Sequence, residues 1–390
     1  MEKLNKTEDM ISSINQSIFF EEFTYSENNF RTSIDNQELQ LADSVVWLED
    51  ILFIIQIKDR NLKNVKDSES EENWFKSKVI KKASWQINKT ISFLNSYSDI
   101  TITNERGHKF CISEAPKDNI KKIIIYTSSD KLPVNRRLEK FYESSKAGFI
   151  HLFNSIDYKW ICKILVTPTE IDDYLSFREQ INTNYAKHIN KLPEQAILGQ
   201  FLSGNFDEIP EYDFIKYLEQ LEDDSNEFSL FHIIEKFPEK IEFEPFTHSY
   251  YMIIKELAKL TRAELKLFKE RFDASWKQCN SSKLIFPFRF VVPRNNIGFI
   301  IIPIPNGHKN EAKNALKNFT QAHKYDQRTK KCIGASIAKD KDDYIILWEF
   351  LEADWKYDQY WEDKLKNNSP LSKVKSKELT LYRFKKNNNY

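Results

Sequence analysis

The sequence predicts a mixed α/β and α+β protein of several domains, and three observations carry that expectation. Short apolar runs bounded by polar residues recur like strands, while amphipathic stripes at steps of three and four recur like helices. The chain has 390 residues, more than one compact domain usually holds. The two kinds of pattern are also segregated along the chain, with strands and helices mixed at both ends and helices alone in the middle.

In chain order, residues 14–23 read as a short helix. Residues 42–58 are two apolar runs hinged at Glu49-Asp50. A two-residue loop at that acidic pair sets Leu48 against Ile51, and counting outward sets Asp43 opposite Gln56, with Lys58 repeating the facing of Gln56. Opposed side chains share a face with Cβ atoms roughly 5 Å apart. A carboxylate, an amide and an amine therefore converge at one end of an apolar hairpin. Burying them has a desolvation cost unless they are satisfied, and a divalent cation is one way to satisfy them.

Residues 71–94 follow as an amphipathic helix, with Phe75, Val79, Ala83, Ile87, Ile91 and Leu94 on its buried stripe and Glu71 and Glu72 at its positive end. Gln86 lies beside that stripe and faces the sheet. Lys78 and Lys82 precede it along one edge of the helix. Residues 99–103, 109–112, 120–126 and 147–153 read as strands, the third buried on both faces. This first domain is expected to end near residue 166.

Thr167-Pro168-Thr169-Glu170 is a capping box with proline at the first helical position, opening a helix to about residue 181. Helical patterns continue over 186–203, 212–221 and 248–272. The last is basic through Arg262, Lys266, Lys269 and Arg271, but interleaved acids make it an exposed charged face. From residue 284 the order is ββαββ: strands 284–292 and 298–304, a helix 310–324, and a hairpin of 332–338 with 344–351. Lys324, Arg328, Lys330 and Lys331 cluster beside Tyr325, in a position to grip phosphate or stack on a base. The expected domains are thus 1–166, 167–283 (mainly helical) and 284–390, the last an α+β module ending in a polar tail at 385–390.

Composition narrows the classes. Apolar residues at 41% and aromatics at 14% supply real cores, and formal net charge is zero, so any surface for nucleic acid must be local. Abundant Lys, Asn and Ile with only 7 Gly suggest a bacterial, AT-rich coding bias. Cys111, Cys162, Cys279 and Cys332 lack zinc-type spacing, and a reducing cytoplasm is the expectation. The polar residues 1–10 do not read as a signal peptide, and no apolar run is long enough for a membrane. There is no phosphate-cradling glycine loop, no His-Glu-x-x-His and no Gly-x-Ser-x-Gly.

Asp43, Gln56 and Lys58, with the helix and strands that follow, resemble the PD-(D/E)xK nuclease superfamily in the Gln-x-Lys variant of Mrr-like restriction endonucleases, over residues 18–127. Ala42 stands where the motif's proline would be, and Gln56 supplies a neutral carbonyl in place of a carboxylate. The resemblance implies a restriction-endonuclease-like core and a Mg²⁺- or Mn²⁺-dependent endonuclease acting on DNA. Asp43, the Gln56 side chain, the Ile57 main-chain carbonyl and a glutamate of the first core helix would hold the metal, that glutamate being Glu21 or, preferred here, Glu22. Lys58 and Gln86 would complete the catalytic set, and Lys78 and Lys82 would contact nucleic acid. A role in restriction or defence against phage, a homodimer and a partner subunit are compatible extensions. The alternative is a nuclease-like binding or scaffold protein without catalysis, whose C-terminal module senses a ligand or partner.

Overall fold

The computed structural model describes residues 6–26, 28–31, 37–219, 250–283, 286–341, 343–367 and 371–375. The strand start expected at 284–285, the helical positions 220–221 and 248–249, and the tail 385–390 lie outside them. The chain is mixed α+β, and its described residues fall into two compact units, 6–219 and 250–375.

The first unit opens with α1 (Lys6–Phe19) and a 3₁₀ turn (Glu21–Phe23), then β1 (Thr24–Tyr25), β2 (Asn29–Arg31), β3 (Glu38–Gln40), β4 (Ser44–Leu48) and β5 (Ile51–Asp59). The helix expected over 14–23 therefore starts eight residues earlier and stops at Phe20, whose φ of 64° breaks it. A long helical rod follows: α2 (Ser68–Trp74), a π-helical stretch (Phe75–Lys82) and α3 (Ala83–Ser96). Next come β6 (Thr101–Thr103), β7 (Lys109–Cys111), β8 (Ile120–Thr127), α4 (Val134–Arg137), β9 (Phe141–Ser144), β10 (Gly148–Asn154), α5 (Ser155–Ile164), α6 (Pro168–Ile189), α7 (Glu194–Ser203) and α8 (Lys216–Glu219).

The main sheet has the order β1-β4-β5-β8-β10-β9, with β5, β8 and β10 parallel at its centre and antiparallel strands on both sides. Strand alternation assigns its faces. Val45, Leu52, Ile54, Ile124, Tyr126 and Ile150 pack with Phe75, Val79, Ala83, Ile87 and Leu94 of the long rod. The alternate residues face α1 and α5: the Phe19 and Phe53 rings meet edge-to-face at 5.4 Å, and Phe153 and Tyr158 lie 6.0 Å apart. Both faces are covered, which explains why these strands read as unbroken apolar runs.

The π stretch follows from the buried stripe. Phe75, Val79, Ala83, Ile87 and Ile91 step by four, and in an α-helix each such step drifts about 40° around the axis. The wider π turn takes up that drift and keeps the stripe on the sheet.

The second unit holds α9 (Tyr251–Ala258), α10 (Arg262–Gln278), β11 (Phe288–Val292), β12 (Ile297–Ile304), α11 (Ala312–Gln327), β13 (Lys331–Asp340), β14 (Asp343–Glu352) and α12 (Gln359–Asn367). The expected helix 248–272 is two helices, because Thr261 and Glu264 form a capping box that starts a new one. The four-stranded sheet runs β11-β12-β13-β14 with β12 and β13 parallel across α11. Leu316 and Ala322 of α11 pack on one face with Ile300 and Ile302. Phe268 and Phe272 cover the other face with Phe290, Phe299 and Trp348.

Each unit buries one histidine completely, and in the same way. Arg178 donates to Nδ1 of His151 at 3.0 Å and Arg289 to Nδ1 of His323 at 3.3 Å, so each ring carries its proton on Nε2, facing Glu179 and the Phe290 carbonyl respectively. Burial pushes both pKa values down to about 4. The unfolded chain then binds more protons between pH 6.5 and 4, so stability falls as pH drops through that window, by up to about 3 kcal/mol per histidine. Asp157 and Asp172, pushed up by burial to about 6, act in the opposite sense over the same range. The check is therefore the change in urea midpoint from pH 7 to pH 5 in the wild type against His323→Gln, and an equal change in both proteins would show that the His323 ring does not stay neutral in the fold.

Candidate active site

The β4–β5 hairpin has the register read from its sequence. Leu48 pairs with Ile51 and Ser44 with Ile55, so Asp43 and Gln56 are the next opposed pair. Asp43 is held from behind. Asn28 Oδ1 accepts the Ala42 N–H at 2.9 Å, the Leu41 N–H donates to the Asn28 carbonyl at 3.2 Å, and the Thr90 hydroxyl of α3 donates to the Leu41 carbonyl. Asn28 and Thr90 carried no signal in the sequence.

Asp43 Oδ2 accepts the Ile57 N–H at 2.7 Å and the Lys58 ammonium at 2.9 Å. The same ammonium donates to the Ile57 carbonyl at 2.8 Å and to Gln56 Oε1 at 3.3 Å. Gln56 is 2% exposed, and the Lys58 and Asp43 side chains 13% and 16%. Every oxygen expected to hold a cation, apart from the glutamate's, thus already surrounds one positive charge. The Lys58 ammonium is the one positive charge that these three oxygens share.

The cluster sits at the carboxyl ends of the parallel strands, where open α/β sheets bind ligands. Lys58 is level with Tyr126 and Asp59 with Thr127. Thr127 Oγ1 lies 3.1 Å from the Thr7 hydroxyl and 2.9 Å from that of Ser155, linking the start of α1 and of α5 to this edge.

Glu22 is not brought to the cluster. Thr24 pairs with Val46, so Glu22 lies toward Leu48, the end of the hairpin opposite Asp43. It is buried there, with Arg106 Nε 3.0 Å from its carboxylate, and Arg106 reaches Glu21 at the same distance. The acid that α1 brings near Asp43 is Glu8. Its pKa is raised first by partial burial and then by the charge of Asp43, with Asp59 adding to the effect and Lys58 opposing it. The sequence signal was present in the stripe Ile11, Ile14, Ile18 with Glu8 and Asp9 in a first turn.

A raised carboxyl pKa means the folded state binds the proton more tightly, so stability from Glu8 falls as pH rises through that pKa. Glu8→Gln should therefore raise the urea midpoint at pH 7. If Glu8 serves a cation, the same change should weaken Mn²⁺ binding about tenfold, roughly 1.4 kcal/mol. Unchanged Mn²⁺ affinity would remove Glu8 from the site.

Gln86 is half-buried on α3, one turn before Thr90, and its Oε1 is buried without a hydrogen-bond partner. Lys78 and Lys82 are exposed on the π stretch. The C-terminal basic cluster is different, because its charges are used within the chain. Lys331 pairs with Glu256 at 2.6 Å, Lys330 lies 3.9 Å from Glu352, Lys324 donates to the Ala353 carbonyl, and the Arg328 guanidinium sits 4.8 Å from the Trp355 ring centroid.

Among the described residues no three of His, Cys, Asp and Glu are placed to share a metal ion. The donors at Asp43 are one carboxylate, one amide and one main-chain carbonyl. They are all hard oxygens, which fits Mg²⁺ or Mn²⁺ with several waters retained and does not fit zinc. Among the described residues no helix is long and apolar enough to cross a membrane. In comparisons with protein families, curated proteins and solved structures, nothing matches this chain.

Proposed function

We propose that the chain is a metal-dependent endonuclease with a restriction-endonuclease-like core in its first unit, hydrolysing DNA phosphodiesters. The observation that carries this reading is the convergence of Asp43, Gln56 Oε1 and the Ile57 carbonyl on the Lys58 ammonium. Asp43, Gln56 and Ile57, with Glu8 in place of Glu22, would hold the cation. A bound divalent cation supplies Lewis acidity that offsets charge growing on the phosphoryl oxygens and lowers the pKa of an attacking water.

The chain's own groups do the rest. Asp43 is fixed by the Ile57 N–H, so its second oxygen keeps one direction. Lys58 places a positive charge beside the reacting phosphate, and Gln86 offers its unpartnered carbonyl to orient a water. Lys78 and Lys82 contact phosphates of the bound strand. By analogy with the family it resembles, such an enzyme would serve restriction or defence against phage.

The competing reading is a nuclease-like binding protein without catalysis, and one observation favours it: among the described residues no three acids meet at the site. Plasmid cleavage separates the two. The purified chain should cut DNA with Mg²⁺ or Mn²⁺ and not with EDTA, and Asp43→Asn should lower the rate at least about a hundredfold with the fold unchanged by circular dichroism. Cleavage that survives EDTA or Asp43→Asn rejects this site. No cleavage with either metal favours the binding protein.

A further inference from the structure

The rod that carries Gln86 also has an outer face. From residue 73 to residue 98 the sequence holds five lysines and no acid, in a chain whose charges balance over its full length. Lys78, Lys81, Lys82, Trp85 and Lys89 are all exposed, the indole at 59%. Trp85 is two residues from each of the buried Ala83 and Ile87, about 200° around the axis, so it points away from the sheet. Among the described residues no carboxylate forms an ion pair with any of these four lysines, in contrast to the C-terminal basic cluster. The Lys89 ammonium lies 5.5 Å from the Trp85 ring centroid and 5.2 Å from that of Phe93.

An exposed indole set among uncompensated ammonium groups is complementary to a polyanion that also offers flat aromatic faces, and nucleic acid has both properties. In a duplex the bases are already stacked on each other and present no free face to a side chain. An unpaired strand presents one at every base.

We propose that this face binds single-stranded or unpaired nucleic acid, with Trp85 stacked on a base and Lys78, Lys81, Lys82 and Lys89 on the flanking phosphates. Binding here does not depend on the nuclease reading; what is then done to the strand rests on it. The four lysines extend over about 16 Å of helix, enough to follow a strand past Gln86.

The test uses the full chain in EDTA, with fluorescence anisotropy of a labelled oligothymidylate and of a duplex of equal length over a range of salt. The single strand should bind more tightly than the duplex. Trp85→Ala should weaken single-strand binding about tenfold or more and change duplex binding less than about twofold. Lys81→Glu with Lys89→Glu should flatten the salt dependence, by about 0.7 in the log–log slope for each phosphate that is no longer neutralised. Both sites are exposed, and an unchanged urea midpoint confirms that folding is untouched. Wild-type affinity in Trp85→Ala, a preference for duplex, or no binding at all overturns the proposal. If the wild type cuts no DNA yet binds the strand through Trp85, catalysis is rejected and this surface stands. If it cuts DNA while Trp85→Ala binds normally, the reverse holds.

Discussion

Exchange of Lys58 for methionine should slow cleavage severely and at the same time tighten binding of Mn²⁺. The two effects have opposite signs because the ammonium has two relations to the site. In the structure it occupies the centre of the donor set, within 2.8 to 3.3 Å of three oxygens, and so competes with any incoming cation. In the proposed reaction its charge would be needed beside the phosphate, so it would have to leave that centre when a cation is bound. Methionine keeps much of the length and removes the charge. The rate should fall by about 10² to 10³, the usual cost of losing one preorganised electrostatic group.

Mn²⁺ affinity should rise about tenfold, which is about 1.4 kcal/mol. The bare Coulomb energy of two charges at this distance is larger, but the site is partly exposed and salt screens it. Isothermal titration with Mn²⁺ on the wild type and on Lys58→Met measures the second effect without any turnover. Weaker Mn²⁺ binding in Lys58→Met would mean that the ammonium orders the donors and does not stand in for the cation, and the metal assignment would then lose its main support.

The parts of this site that were legible in the sequence are those fixed by local counting. A two-residue turn and a period of two were enough to set Asp43 against Gln56 and to put Lys58 beside them. The ββαββ order of the second unit was legible for the same reason, since each strand carries its own pattern and its own turn residues. Glu8 was missed because the strongest apolar residues of α1 lie in its second half, while its first turn is wholly polar. Glu22 was misplaced because its position depends on how β1 pairs with β4, a long-range choice that no local pattern encodes. The π stretch was encoded, in the strict step of four from Phe75 to Ile91, but that step resembles an ordinary amphipathic stripe unless its drift is counted. Asn28 and Thr90 hold Asp43 through main-chain hydrogen bonds, and such bonds leave no trace in composition or spacing.

The largest effect on stability should come from Glu194→Ala, where α6 and α7 meet β10. Glu194 is 4% exposed, and its carboxylate accepts from Arg178 Nη2 at 3.1 Å and from the Tyr174 hydroxyl at 2.5 Å, with the Lys140 ammonium 3.9 Å away. Arg178 is 3% exposed and spends its other hydrogen bonds on the Lys140 and Leu152 carbonyls and on His151, with its guanidinium 3.9 Å from the Phe153 ring centroid. This is how α6 and α7 are joined to β10. Removing the one carboxylate strands two buried cations, and breaking a buried pair from one side costs about 3 to 5 kcal/mol. Burial already lowers the pKa of Lys140 and the Glu194 charge opposes that shift, so the variant should also shed the Lys140 proton more readily. Replacing both partners of the pair, Arg178→Met with Glu194→Leu, should cost less than Glu194→Ala, because no unpaired guanidinium remains and packing substitutes for charge. Urea unfolding of the three proteins measures the order. A double variant less stable than Glu194→Ala would show that Arg178 stabilises the junction through its carbonyl and ring interactions more than through its partner's charge.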